Sequence, residues 1–233
     1  LMAAALAVLV PASQAATQAQ MRAEARAGSL TKLPVLVNET SEAGDPLRAE
    51  ARNAASSGSN QGRGHAGGTV ALGWMTVQVD ADAAASDNPD FSGVGTGRGL
   101  ASVSWSDRLT VTSATHSGAG FLLASVQLVA FGPLDAQAAL TGLANAEFSA
   151  GASLVTFRSP TQPEEVFRAG TWGRSGLNPA GGSAINDVVV DTILGEWTVL
   201  IPFEFNLPFE LVASLGSQAV VGAQFGETAT AAA

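Results

Sequence analysis

Five carboxylate or amide side chains, Asp80, Asp82, Asp87, Asn88 and Asp90, crowd into residues 80–90, a stretch otherwise built of Ala, Ser and Pro. Calcium takes about six to eight oxygen ligands, and clustered carboxylates in an irregular segment supply them. Asp80, Asp82, Asp87 and Asp90 are therefore the candidate metal ligands, and calcium is the candidate cofactor. The spacing is not that of an EF-hand, which needs Gly at the sixth loop position and Glu at the twelfth. The competing reading is a solvated acidic turn, because Asp and Asn hydrogen-bond their own backbone there.

Other chemistry-bearing residues are sparse. His65 and His116 lie in Gly/Ser-rich surroundings, and no cysteine accompanies them, so a zinc or copper site has little to build from. A Ser-His-Asp triad needs no sequence adjacency, but the G-x-S-x-G nucleophile elbow is absent from the sequence. Paired carboxylates for glycoside hydrolysis would be sought in Glu164 with Glu165, or in Glu204 and Glu210. The last two fall on the polar phase of their strands, the position of a solvated charge. Gly62-Arg-Gly-His-Ala-Gly67 matches G-x-G-x-x-G, yet a dinucleotide site needs that motif between a strand and a helix. Here it follows a Ser/Asn-rich stretch and precedes a strand, so it reads as composition. Of four tryptophans, Trp105 and Trp197 share the phase of buried neighbours, and Trp74 reads as core with them. Trp172, in Ala169-Gly-Thr-Trp-Gly-Arg-Ser-Gly176, is the aromatic left free to meet a ligand.

The elements that would position these residues are strands. In Glu196-Trp-Thr-Val-Leu-Ile-Pro-Phe-Glu-Phe-Asn206, an apolar residue recurs at every second position, the signature of a half-buried strand. Pro208–Leu215 and Ser217–Phe225 repeat the pattern as two further strands. Upstream, residues 69–80, 100–113, 147–158 and 186–194 read as strands. The continuous apolar run 121–131 reads as a strand covered on both faces. Residues 133–145 read as a short helix, and 82–99 and 159–182 as loops. About eight or nine strands with Gly/Pro-rich turns predict an all-β, antiparallel, jelly-roll-like β-sandwich over residues 69–233. Residues 16–68 differ: Ala-rich runs with Glu and Arg favour helix, and 56–68 has the composition of a flexible linker. The pentapeptide Arg-Ala-Glu-Ala-Arg occurs at 22–26 and again at 48–52, too little for a repeat architecture.

Composition narrows the setting. Charged residues are 13% of 233, against about 25% in typical soluble domains. The balance is acidic, 20 Asp/Glu against 11 Lys/Arg with Lys32 the single lysine, so a nucleic-acid or anionic-membrane partner is disfavoured. Residues 1–10 form an apolar run ending at Pro11, followed by small residues at Ser13 and Ala15. That pattern fits a signal peptide over 1–15, clipped at its start. The run is shorter than the ~20 residues of a membrane span.

Ile201-Pro-Phe-Glu-Phe-Asn-Leu-Pro-Phe-Glu-Leu211 and Gly222-Ala-Gln-Phe-Gly-Glu-Thr-Ala-Thr230 resemble the closing segment of secreted bacterial β-sandwich proteins of the PEP-CTERM, exosortase-sorted group. Ala101-Ser-Val-Ser-Trp-Ser-Asp-Arg-Leu-Thr-Val111 is similar to their early Trp-Ser-Asp strand. The resemblance spans residues 95–230 in outline and implies export and life at the cell surface, without an activity. Asn206 stands where that family has Gly, an exchange Asn tolerates because it enters left-handed backbone readily. The family's C-terminal sorting tail (Pro-Glu-Pro, membrane helix, basic end) is not among the 233 residues. The expected protein is a non-catalytic, secreted or cell-surface β-sandwich, with extracellular polysaccharide, other surface proteins or its own copies as partners. The alternatives are a carbohydrate-binding module using Trp172, and a jelly-roll hydrolase.

Overall fold

The computed structural model describes residues 8–29, 36–43, 47–57, 59–71, 73–85, 93–129, 135–138, 144–159, 162–177, 184–189, 195–224 and 227–233. They form fourteen strands: β1 Val8–Ser29, β2 Leu36–Ala43, β3 Leu47–Ser57, β4 Asn60–Ala71, β5 Trp74–Ala84, β6 Gly93–Thr112, β7 Ala119–Leu128, β8 Asp135–Ala138, β9 Asn145–Ser159, β10 Gln162–Leu177, β11 Ala184–Val189, β12 Gly195–Glu204, β13 Pro208–Gln224 and β14 Thr228–Ala232. Sheet A has the order β11-β10-β9-β13-β6-β1-β2, sheet B the order β3-β4-β5-β14-β8, and β12 pairs with β7 as a separate ribbon. Every ladder is antiparallel. The protein is an all-β sandwich, and among the described residues there is no helix, let alone one able to cross a membrane.

Two kinds of contact hold the layers together, and they divide the long strands of sheet A lengthwise. The half of β6 that begins at Gly93 faces sheet B across a core made chiefly of alanine, with Ala19, Met21, Ala23, Ala49, Ala66, Ala81, Val103, Phe148 and Val221 buried there. The other half faces the ribbon across larger side chains, with Val111, Leu154, Ile201, Phe203, Phe209 and Leu211 interlocked. Trp105 sits between, packed against both.

The alanine half owes its closeness to glycine. A β-carbon added at Gly97 would lie 1.9 Å from the Arg63 carbonyl oxygen, and one at Gly95 2.0 Å from that of Gln61. In the reverse direction, β-carbons at Gly62 and Gly64 would lie 2.1 Å from the carbonyls of Thr96 and Arg98. The glycine α-carbons therefore approach the opposing carbonyl oxygens to about 3.6 Å or less, the range of Cα–H···O=C contacts. Sheets packed through ordinary side chains lie about 10 Å apart. Here β4 and β6 meet backbone to backbone.

Several sequence expectations change accordingly. The Ala-rich runs expected to be helical are the inward-alternating strands β1 and β3: Ala inside and Arg or Glu outside gives a period of two as well as a helical composition. Both copies of Arg-Ala-Glu-Ala-Arg are strand, each with an Arg–Glu pair two residues apart on the outer face, Arg22 with Glu24 and Arg52 with Glu50. Most of the expected linker 56–68 is strand β4, and the strands β1 to β4 lie in the same two sheets as the later ones. The two strands expected at 208–225 are one strand, β13, because Phe209 to Ala223 keeps a single inward phase through Gly216. Within 133–145 the described residues 135–138 are strand β8, not helix. Asn206 does take left-handed backbone, φ 65°, in the turn between β12 and β13. Its side chain also braces Ser113, accepting from the Ser113 amide at 3.1 Å and donating to the Ser113 carbonyl at 3.2 Å.

Candidate functional site

The densest group of chemistry-bearing side chains lies on the outer face of sheet B. Hairpin register places it: β3 pairs Arg52 with His65, and β5 pairs Asp80 with His65, so three strands bring their polar positions into one row. Asp80 Oδ1 lies 2.6 Å from His65 Nδ1, and Glu50 Oε1 lies 3.0 Å from His65 Nε2. Both carboxylates can accept at once only from the doubly protonated ring. Arg63 donates to Asp80 Oδ2 at 3.1 Å and stands 3.6 Å from Asp82. Hydrogen bonds from Arg52 and then from His65 hold the Glu50 carboxyl below its ordinary value of 4.5.

With both ring nitrogens engaged, His65 has no free edge to serve as a base. The recess above it, floored by Arg52, Arg63, His65 and Asp80, opens broadly to solvent. Chemically the row is a cross-strand clamp that ties the edge strand β3 to β5 over β4. Of the candidate calcium ligands, Asp80 belongs to this row and Asp82 to the next, opposite Arg63, both on strand β5. Asp87 and Asp90 lie outside the described residues. Among the described residues no three His, Asp or Glu side chains are placed to hold a metal ion.

The other candidates separate. Ser113 Oγ is 3.2 Å from His116 Nδ1, but that oxygen also accepts the amides of Thr115 and His116, the geometry of a serine-capped turn. The His116 ring packs tilted against Phe205, 5.6 Å between centres, and among the described residues it pairs with no carboxylate. Glu165 pairs with Arg168 at 2.7 Å, and Glu164, Glu204 and Glu210 are exposed on strand faces. Trp197 packs with Phe167, as its phase predicts, whereas Trp74 is 55% exposed at the start of β5 and is not core. The G-x-G-x-x-G match belongs to the inter-sheet seam, where Gly62 and Gly64 are inward.

Trp172 is on strand β10, not in a loop, and points outward from sheet A with 41% of its surface exposed. The Arg174 guanidinium lies 5.6 Å from its ring centre. Register continues its row through Ser149, Gln218 and Leu100, and the adjacent row is Gly170, Gly151, Gly216 and Ser102. The result is a flat, small-residue floor beside one aromatic wall.

No family model, curated protein or solved structure matches this chain. The functional reading therefore rests on the two sheet faces themselves. The clamp of Glu50, His65, Asp80 and Arg63 was not legible beforehand, since its contacts join residues fifteen or seventeen positions apart. The signal was the pair of short connections at 58–59 and 72–73 between alternating runs, which sets the register.

Proposed function

We propose that this chain is a non-catalytic, exported β-sandwich that works at a bacterial cell surface or in an extracellular polysaccharide matrix. One observation carries the reading: the side chains best suited to chemistry, Glu50, His65, Asp80 and Arg63, engage one another on an open sheet face. The small-residue, weakly charged composition and the resemblance of residues 95–230 to exosortase-sorted proteins support export. Cell fractionation tests this: the protein is expected outside the cytoplasm, and retention in the cytoplasm would overturn it.

A second reading, a carbohydrate-binding module, is favoured by Trp172 beside the Gly170–Gly151–Gly216 floor, because sugar rings stack on exposed aromatic faces while hydroxyls meet Ser and Gln. A glycan array is the test. Binding that disappears in Trp172→Ala is the expected result, and an array without a hit, or a hit indifferent to that substitution, would remove the reading.

A further inference from the structure

Charge is balanced unevenly over the outer face of sheet A. On β1, Arg22 holds Glu24 through Nε at 2.7 Å and Nη2 at 2.6 Å. On β10, Arg174 stands directly opposite Glu147 of β9. Arg26 and Arg98 have no such acid: among the described residues neither makes an ion pair. The Arg98 guanidinium donates one hydrogen bond, from Nη2 to Gln218 Oε1 at 3.3 Å, and its Nε is buried without a partner. A buried donor left unsatisfied calls for a missing acceptor, and on a cation the cost of leaving it bare is larger than on a neutral group.

Register brings the two arginines together. Arg98 lies opposite Glu24, and Arg26 opposite Thr96. They are therefore diagonal neighbours on adjacent strands, with backbones about 7–8 Å apart. Gly222, on the other side of Thr96, keeps the space beside them low. A β-carbon there would come within 2.6 Å of Asn145 Oδ1 and 4.0 Å of the Thr96 methyl, so Thr96 and Asn145 stand at its rim. A polar path leads from Arg98 across the sheet: Gln218 is opposite Ser149, and Ser149 is opposite Trp172. Trp172 and Arg98 are three strand spacings apart, about 14 Å.

We infer that this face takes an acidic glycan, a chain of uronic-acid units, with one sugar ring on Trp172 and the carboxylate of another unit held by Arg98 and Arg26. The inference rests on the carbohydrate-binding reading of the same face and names its substrate class. Charge selects the occupant. The planar fork of a guanidinium matches a carboxylate through two parallel hydrogen bonds, and Glu24, the acid next to the pair, is already held by Arg22. The net charge of −9 acts mainly from farther away, and salt screens charges beyond about 8 Å at physiological ionic strength. Span selects a chain over a single sugar, because Trp172 and Arg98 are too far apart for one ring to touch both.

The test is calorimetric titration of the protein with alginate and with polygalacturonate. Each is compared with the same polymer after reduction of its carboxyl groups to primary alcohols. The acidic form of at least one polymer is expected to bind about tenfold or more tightly than its reduced form, with the difference shrinking as salt is added. Arg98→Gln and Arg26→Gln are each expected to erase that preference with circular dichroism and thermal melting unchanged, while Trp172→Ala weakens both forms. If Arg98→Gln disturbs folding, Arg26→Gln, which removes no hydrogen bond or ion pair, carries the test. Equal affinity for acidic and reduced polymers, or a preference that survives Arg26→Gln, overturns the inference and leaves the carbohydrate reading standing. A protein that binds neither form overturns the inference together with the reading beneath it.

Discussion

Substituting one methyl group into the seam should be among the most damaging changes this protein can suffer. In Gly97→Ala the new carbon would sit 1.9 Å from the Arg63 carbonyl oxygen and 2.8 Å from that of Asp82. Favourable non-bonded contacts begin near 3.5 Å, so β6 and β4 must part locally by about 1.6 Å. Neither obstacle is a flexible side chain; both are backbone of central strands. A gap of about 0.5–1 Å already forfeits a quarter to a half of each dispersion contact, and the loss would spread to the small buried neighbours Ala23, Ala66 and Ala81. Overpacking typically costs about 1–3 kcal/mol, and this site belongs at or above the upper end. For a chain of this size, about 3 kcal/mol corresponds to a drop of roughly 6–12 °C in Tm. Gly216→Ala is the matched control: its β-carbon would meet Ala101 O at an ordinary 3.6 Å. There the lost backbone freedom of the unfolded chain should leave stability unchanged or raise it by about 0.4–1 kcal/mol. Urea and thermal unfolding of both variants decide the matter. Equal midpoints for Gly97→Ala and Gly216→Ala would refute the backbone-to-backbone seam.

Three further outcomes are expected. Phe203→Ala removes a buried ring that packs on Phe205 and Phe209 and fills the space over Gly120, and should cost about 3–5 kcal/mol in urea unfolding. Thr156→Val should stabilise by about 1 kcal/mol, because the Thr156 hydroxyl is fully buried with no hydrogen-bond partner among the described residues, and such a group carries an uncompensated desolvation cost. Glu50 is held below its ordinary 4.5 in the fold, so its contribution is complete above that pH and lost as pH falls through the lowered value. The stability difference between wild type and Glu50→Gln should therefore be visible at pH 6 and vanish in strong acid, as pH-dependent thermal melts would show.

The strands β12 and β13 were legible because Trp, Val, Ile and Phe mark their inward phase without ambiguity. The strands β1, β3 and β4 were not, because the seam selects alanine and glycine, which local propensity assigns to helices and linkers. Tertiary closeness overrode that propensity: Ala23 and Gly64 are inward because nothing larger fits. The alternation was present in Gly62-Arg-Gly and in Gly93-Val-Gly-Thr-Gly-Arg-Gly99, with a larger residue at each outward position. Apolar content misled in the opposite sense at Phe121 and Leu123, whose exposure depends on what covers the ribbon. Trp172 was recognisable as an accessible aromatic, but its place on a strand beside three aligned glycines depends on ladders spanning tens of residues.

Backbone amide hydrogen exchange tests most directly whether the glycine-rich segments are the seam that closes the sandwich. Both β4 and β6 are central strands, hydrogen-bonded on each side. The amides of residues 62–66 and 95–101 should therefore exchange only through global unfolding, as slowly as those of Val103 and Val221. Exchange of residues 62–66 at the rate of an unstructured linker would contradict the account.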